Sequence, residues 1–226
     1  MEIKLKKTSL SLFGKTIHYD EIQFKFGDYV LISGENGSGK STLLKNIYNG
    51  KFIETNLSLE KDFIYIPQDS SYLDKSLRVI DWILYLNRVI FLNMLNKIFI
   101  DTNLIDLLGF KSVLELNKFK HKKLHMLSGG EQKILDLIIY LSMRKAVYLI
   151  DEPFNHISLA NVKKVVNLIN SAHMNSNCII IIVSHFDFFF LGNKFYAYQE
   201  GKFKATNIKS YMNCFGELDN KGFFII

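Results

Sequence analysis

The stretch from Tyr29 to Ile47 constrains this chain most. Tyr29-Val30-Leu31-Ile32 is an apolar run that reads as a buried strand, and Leu43-Leu44-Lys45-Asn46-Ile47 reads as a helix. Between them lies Ser33-Gly34-Glu35-Asn36-Gly37-Ser38-Gly39-Lys40-Ser41-Thr42, in which Gly34 to Ser41 fits G-x-x-x-x-G-K-[ST] at every position. Glycines let the backbone turn tightly and aim successive N–H groups into one concavity. The positive end of the following helix adds to the attraction for phosphate. On this reading Lys40 reaches the β- and γ-phosphates of a nucleotide, and Ser41 supplies an oxygen to Mg²⁺.

The rest of the chain gives such a loop a globular setting. Its 226 residues suit one large domain, or a core with a subdomain, and 48% hydrophobic against 22% charged residues argues against wholesale disorder. The formal charge of +6 is spread out. The one dense basic cluster, Lys118, Lys120, His121, Lys122 and Lys123, reads as a solvated loop or helix end, so no nucleic-acid partner is expected. Cys178 and Cys214 are too few for a disulfide framework, and no metal-ligand spacing is present, which fits a reducing compartment. Met1 to Lys7 alternates like a strand and lacks the apolar stretch of a signal peptide. No run approaches the roughly 20 apolar residues that span a bilayer. If the protein works at a membrane, another chain must cross it.

Taken in order, Ile3 to Phe26 reads as two or three strands with a turn at Phe13-Gly14-Lys15, and Gly27-Asp28 as a further turn. The helix from Ser41 is expected to stop near Asn49-Gly50. Phe63-Ile64-Tyr65-Ile66 is a strand stopped by Pro67. Val79, Trp82, Ile83, Leu86, Val89, Ile90 and Leu95 recur at helical spacing, and 101–108 reads as another helix. The region of about 69–126 is therefore expected to be a helical insertion in a core of about 1–68 and 127–226. Ser128 is a candidate N-cap with Glu131 at capping-box spacing, before a helix through Ile134, Leu137, Ile138 and Leu141. Ala146 to Ile150 is a strand ending in Asp151-Glu152, and Ser158 to Ser171 an amphipathic helix. Cys178 to Val183 is apolar throughout, as in a central parallel strand, and is ended by Ser184-His185. Tyr196 to Thr206 resembles a hairpin turning at Glu200-Gly201, and the tail from Ile208 reads as a short helix. The alternation gives an α/β architecture.

A second constellation narrows the reading. Leu127-Ser128-Gly129-Gly130-Glu131-Gln132 stands shortly before a strand that ends in Asp151-Glu152-Pro153. Together with the loop, it makes nearly the whole chain resemble the nucleotide-binding domain of the ABC ATPases. The resemblance implies a P-loop NTPase (RecA-like) core with an N-terminal antiparallel β subdomain and an inserted α-helical subdomain. It implies ATP and Mg²⁺ as ligands. Gly34, Asn36, Gly37, Ser38, Gly39, Lys40, Ser41 and Thr42 match the Walker A loop, and Gln68 matches the Q-loop glutamine that senses γ-phosphate and Mg²⁺. Ser128, Gly129, Gly130 and Glu131 match the signature motif, which contacts nucleotide on the opposite protomer. Asp151 matches the acid that holds Mg²⁺ through water, Glu152 the one that orients or activates the attacking water, and His185 the histidine on the γ-phosphate. Phe13 lies near the family's adenine-stacking aromatic, with Tyr19 as a rival, and either ring fits a core equally well. His156 stands where similar sequences also show Asn-His.

The family chemistry agrees with these residue types, because phosphoryl transfer needs positioning and charge neutralisation. Adjacent acids at a strand end point in different directions, one toward a metal and one toward water. Three features depart from the pattern. Ser158 stands where the family has Asp, Lys133-Ile134 where Arg is common, and the segment from Lys40 to Gln68 is short. The resemblance implies an ATPase subunit of a membrane transporter. It would work as a homodimer, or with a related ATPase subunit, in a head-to-tail nucleotide sandwich. It would lie peripherally on the cytoplasmic face of the membrane against a separate transmembrane permease, with 69–82 as the docking candidate. The Lys-, Asn-, Ile- and Phe-rich composition suggests an AT-rich bacterial genome, and the resemblance to small compact members of the family implies peptide or antibiotic export. The alternative is a soluble non-transport ABC ATPase acting in cofactor assembly, translation or repair.

Overall fold

The computed structural model describes residues 2–12, 14–69, 75–82, 121–143, 145–155, 157–185, 193–199 and 202–205. The expected helices of 83–108, the Glu200-Gly201 turn, the tail from Ile208, Phe13 and His156 lie outside the described residues. The chain divides into two compact units. One comprises 1–66, 146–153 and 177–226, and the other 67–145 and 154–176.

The first unit opens with β1 (Glu2–Leu5), β2 (Thr8–Leu12), β3 (Lys15–Tyr19) and β4 (Ile22–Lys25). The sequence predicts two or three strands here. It misses breaks at Lys6-Lys7 and Asp20-Glu21 because neither carries a glycine or proline. Strand β1 pairs antiparallel with β4 on one side and with β6 (Ile53–Thr55) on the other. Ile3 faces Phe24 and Leu5 faces Ile22 across the register, so alternate residues point into the core and the others to solvent.

The larger sheet has eight strands in the order β2-β3-β11-β10-β5-β9-β8-β7. Here β5 is Tyr29–Ser33, β7 Phe63–Ile66, β8 Val147–Asp151, β9 Ile179–Ser184, β10 Lys194–Gln199 and β11 Lys202–Ala205. From β10 to β7 all neighbours are parallel. Every residue of β5, β8 and β9 is buried, which is why these strands read as unbroken apolar runs rather than alternating ones. Helix α1 (Lys40–Tyr48) packs Leu43, Leu44 and Ile47 against β7, β8 and β9, and a four-residue α2 (Leu59–Asp62) precedes β7.

The second unit holds α3 (Gly129–Leu141) and α4 (Leu159–Ser176), packed on one another. Helix α4 runs past the expected stop at Ser171 and gives way at Asn177, in the left-handed region at φ 45°. Asparagine tolerates that conformation better than most residues, and it ended the helix without the glycine a sequence reading looks for. Among the described residues no helix is long and apolar enough to cross a membrane.

Candidate functional site

The phosphate-loop residues leave the carboxyl end of β5, between β10 and β9 in the middle of a parallel sheet. In open α/β sheets that end is where ligands bind. Gly37 and Gly39 have φ of 80° and 85°. A Cβ at Gly37 would meet nothing within 4 Å, so backbone conformation rather than crowding calls for glycine there. Gly39 caps α1 without a side-chain hydrogen bond, and the first turn of α1 carries no acid, so its positive end is not neutralised from within. Glu35, Asn36 and Gly37 are exposed, Gly34, Gly39, Ser41 and Thr42 are half-buried, and Ser38 and Lys40 are buried. Lys40 Nζ donates to the carbonyls of Gly34 (2.6 Å) and Glu35 (2.9 Å), folding the ammonium into its own loop. Tyr19 is fully buried and stacked on Phe203 at 5.1 Å, and its hydroxyl donates to the Gly39 carbonyl at 3.3 Å. It is a core residue that props the loop.

Asp151 ends β8 and Glu152 follows it, and the two carboxylates take different partners. Asp151 Oδ1 accepts from Ser41 Oγ at 2.8 Å, and Oδ2 from the Tyr65 hydroxyl at 2.6 Å. Burial, then the hydrogen bond to Asp151 and its charge, push the Tyr65 phenol well above its ordinary pKa, so it stays a donor. Glu152 has φ 45°, and its N–H donates to the Val183 carbonyl at 2.9 Å. Its Oε2 lies 2.9 Å from His185 Nδ1 and accepts from the His185 N–H at 3.3 Å. Its Oε1 lies 3.8 Å from Lys40 Nζ. Three parallel strands, β5, β8 and β9, thus bring Lys40, Ser41, Asp151, Glu152 and His185 together. Tyr65 is a member that the sequence reading missed. The available signal was a lone phenol in an otherwise apolar strand just before Pro67-Gln68.

The residues present fit a nucleotide with Mg²⁺. Ser38 Oγ is buried in the loop and, among the described residues, has no hydrogen-bond partner. A phosphate oxygen answers such an orphaned hydroxyl. Ser41 and Asp151 form an oxygen-only donor pair, the kind Mg²⁺ uses while keeping several waters.

The remaining candidates belong to the second unit. Ser128 and Gly129 are exposed and Gly130 is buried. The expected capping box is present: Ser128 Oγ accepts from the Glu131 N–H at 3.3 Å, and Glu131 Oε2 from the Ser128 N–H at 2.7 Å. Gln132 Nε2 donates to the carbonyls of Leu124 and Leu127, fixing the approach to α3. Gln68 is exposed. Its carbonyl and that of Pro67 accept from Lys133 Nζ at 2.8 and 2.7 Å, and Lys133 is itself buried.

Comparison with known proteins follows the same lines. A profile of the ABC transporter family matches residues 18–155. The lipoprotein-releasing system ATP-binding protein LolD of Buchnera aphidicola is 27% identical over 76% of this chain and 80% of its own length. Elongation factor 3 of Pneumocystis carinii is 30% identical over 85% of this chain, which spans only 16% of that protein. Among solved structures, an ATP-binding cassette of an ABC transporter in its ADP conformation superposes with a TM-score of 0.68 at 19% identity, covering 98% of this chain and 97% of that one.

Proposed function

The chain belongs to the ABC transporter family, and from that premise we propose that it is the ATP-binding and ATP-hydrolysing subunit of a membrane transporter. The observation that carries this reading is the meeting of Lys40, Ser41, Asp151, Glu152 and His185 at the carboxyl ends of β5, β8 and β9. Lys40 and the amides of the loop hold the β- and γ-phosphates. Ser41 and Asp151 would hold Mg²⁺, which supplies neutralising charge to the phosphates when bound. Glu152 orients or activates the attacking water, and His185 steadies its carboxylate and faces the γ-phosphate. Gln68 reports the state of the site to a separate transmembrane subunit. Two copies work head to tail, each covering the other's nucleotide with Ser128, Gly129 and Gly130, whose exposure of the first two supports that role. The protein then lies peripherally on the cytoplasmic face of the membrane. The resemblance of this 226-residue chain to small compact members of the family is the support for peptide or antibiotic export as the cargo class.

Glu152→Gln should bind ATP, fail to turn it over and accumulate a dimer visible by light scattering. Monomer with ATP bound would count against the sandwich. Lys40→Ala should abolish nucleotide binding or hydrolysis, and unchanged turnover would reject the loop assignment. The similarity to elongation factor 3 favours a second reading, a non-transport ATPase acting in translation. Co-purification with ribosomes would select it, and co-purification with a polytopic membrane protein would select transport.

A further inference from the structure

Asp151 is held by two hydroxyls. One, Ser41, belongs to the phosphate loop, and the other, Tyr65, comes from the edge strand β7. Tyr65 sits opposite Leu149 in the β7–β8 register, and its phenol reaches along β8 to Asp151. Its ring also lies against that of Tyr48 on α1, 5.9 Å between centroids.

We propose that Tyr65 is a positioning residue that fixes the carboxylate of Asp151 for the nucleotide-bound divalent cation. This rests on the reading of the site as a nucleotide and Mg²⁺ centre. Asp151 is only 2% exposed, so bulk water does not set the orientation of its carboxylate and protein donors must. A serine hydroxyl has one donor hydrogen and two acceptor lone pairs. Ser41 can therefore keep donating to Oδ1 while a lone pair faces a cation. That single bond leaves the carboxylate free to swing about it. The Tyr65 hydroxyl on Oδ2 fixes the second oxygen and so the plane of the group, and it does so without using any atom of the phosphate loop. Partners that orient a metal ligand from behind are generally worth about 10–100-fold in metal affinity, and because Asp151 reaches the cation through water on this reading, Tyr65 belongs at the low end, about 10-fold. Packing of the Tyr48–Tyr65 pair is a separate role, and phenylalanine at position 65 would retain it.

The test uses the full chain and Tyr65→Phe, which deletes the donor and keeps the ring, with Tyr65→Met as a second donor-free variant of different packing. Affinity for a fluorescent ADP is measured in EDTA, and Mn²⁺ affinity of the ADP complex by electron paramagnetic resonance. Both variants should bind ADP in EDTA like the parent chain and lose about 10-fold in Mn²⁺ affinity. Parental Mn²⁺ affinity in either variant overturns the proposal. So does an equal loss with and without metal, or a Tyr65→Phe chain that melts below the assay temperature, since each assigns the phenol to packing or stability. A parent chain whose ADP complex takes no Mn²⁺ overturns the functional reading itself, and that result is seen without any variant.

Discussion

Glu152 sets backbone against chemistry. It is a buried, non-glycine residue at φ 45°, a conformation that costs an L-residue about 1–2 kcal/mol. Glu152→Gly and Glu152→Ala both delete the carboxylate, so their difference isolates the backbone. The glycine variant should be the more stable by about 1 kcal/mol in urea denaturation, and equal midpoints would mean the strain no more than offsets the unfolded-state entropy that glycine adds. His185 touches the same carboxylate, so His185→Ala should lower turnover more than nucleotide affinity. Equal loss of both would undermine its role beside Glu152. At this scale the divergence of the two acids was legible in the sequence from their adjacency at a strand end, but its means was not, since Glu152 lies past β8 at a positive φ rather than in strand alternation. Tyr65 was not. Its partner is set by the register of β7 against β8, which a single sequence does not state.

Helix α3 shows what local spacing can and cannot reveal. Its capping box was readable because both partners lie within three residues. Losing the cap in Ser128→Ala should cost about 1 kcal/mol of stability. Aspartate caps as well as serine, so Ser128→Asp should recover that stability in a thermal melt. It should nevertheless block ATP-driven pairing in light scattering if Ser128 meets a second copy's triphosphate. Recovery of both by aspartate would remove Ser128 from the nucleotide contact. One helical step further on, Lys133 grips carbonyls of Pro67 and Gln68, residues 66 and 65 positions away, and no motif announces it. Lys133→Met should cost about 2 kcal/mol, because hydrogen bonds to charged groups exceed neutral ones. It should also speed amide exchange at Gln68 and Asp69 without touching His185. Unaltered exchange would show that the ammonium does not organise that loop.

Across the molecule, the strand–helix alternation implied an α/β fold, yet the strand order was closed to sequence reading. The antiparallel set β4-β1-β6 depends on a three-residue strand too short to signal itself, and the eight-stranded sheet recruits β2 and β3 through β11. The order also carries a consequence for biosynthesis. Ser41, in the first turn of the helix that follows β5, hydrogen-bonds Asp151 at the end of β8, although β5 and β8 are not neighbours; β9 lies between them and is later in the chain than either. A ribosome that has released Glu152 has delivered the loop and both acids, but not the spacer that sets their separation. ATP should therefore protect stalled nascent chains from protease only once Ser184 has cleared the exit tunnel.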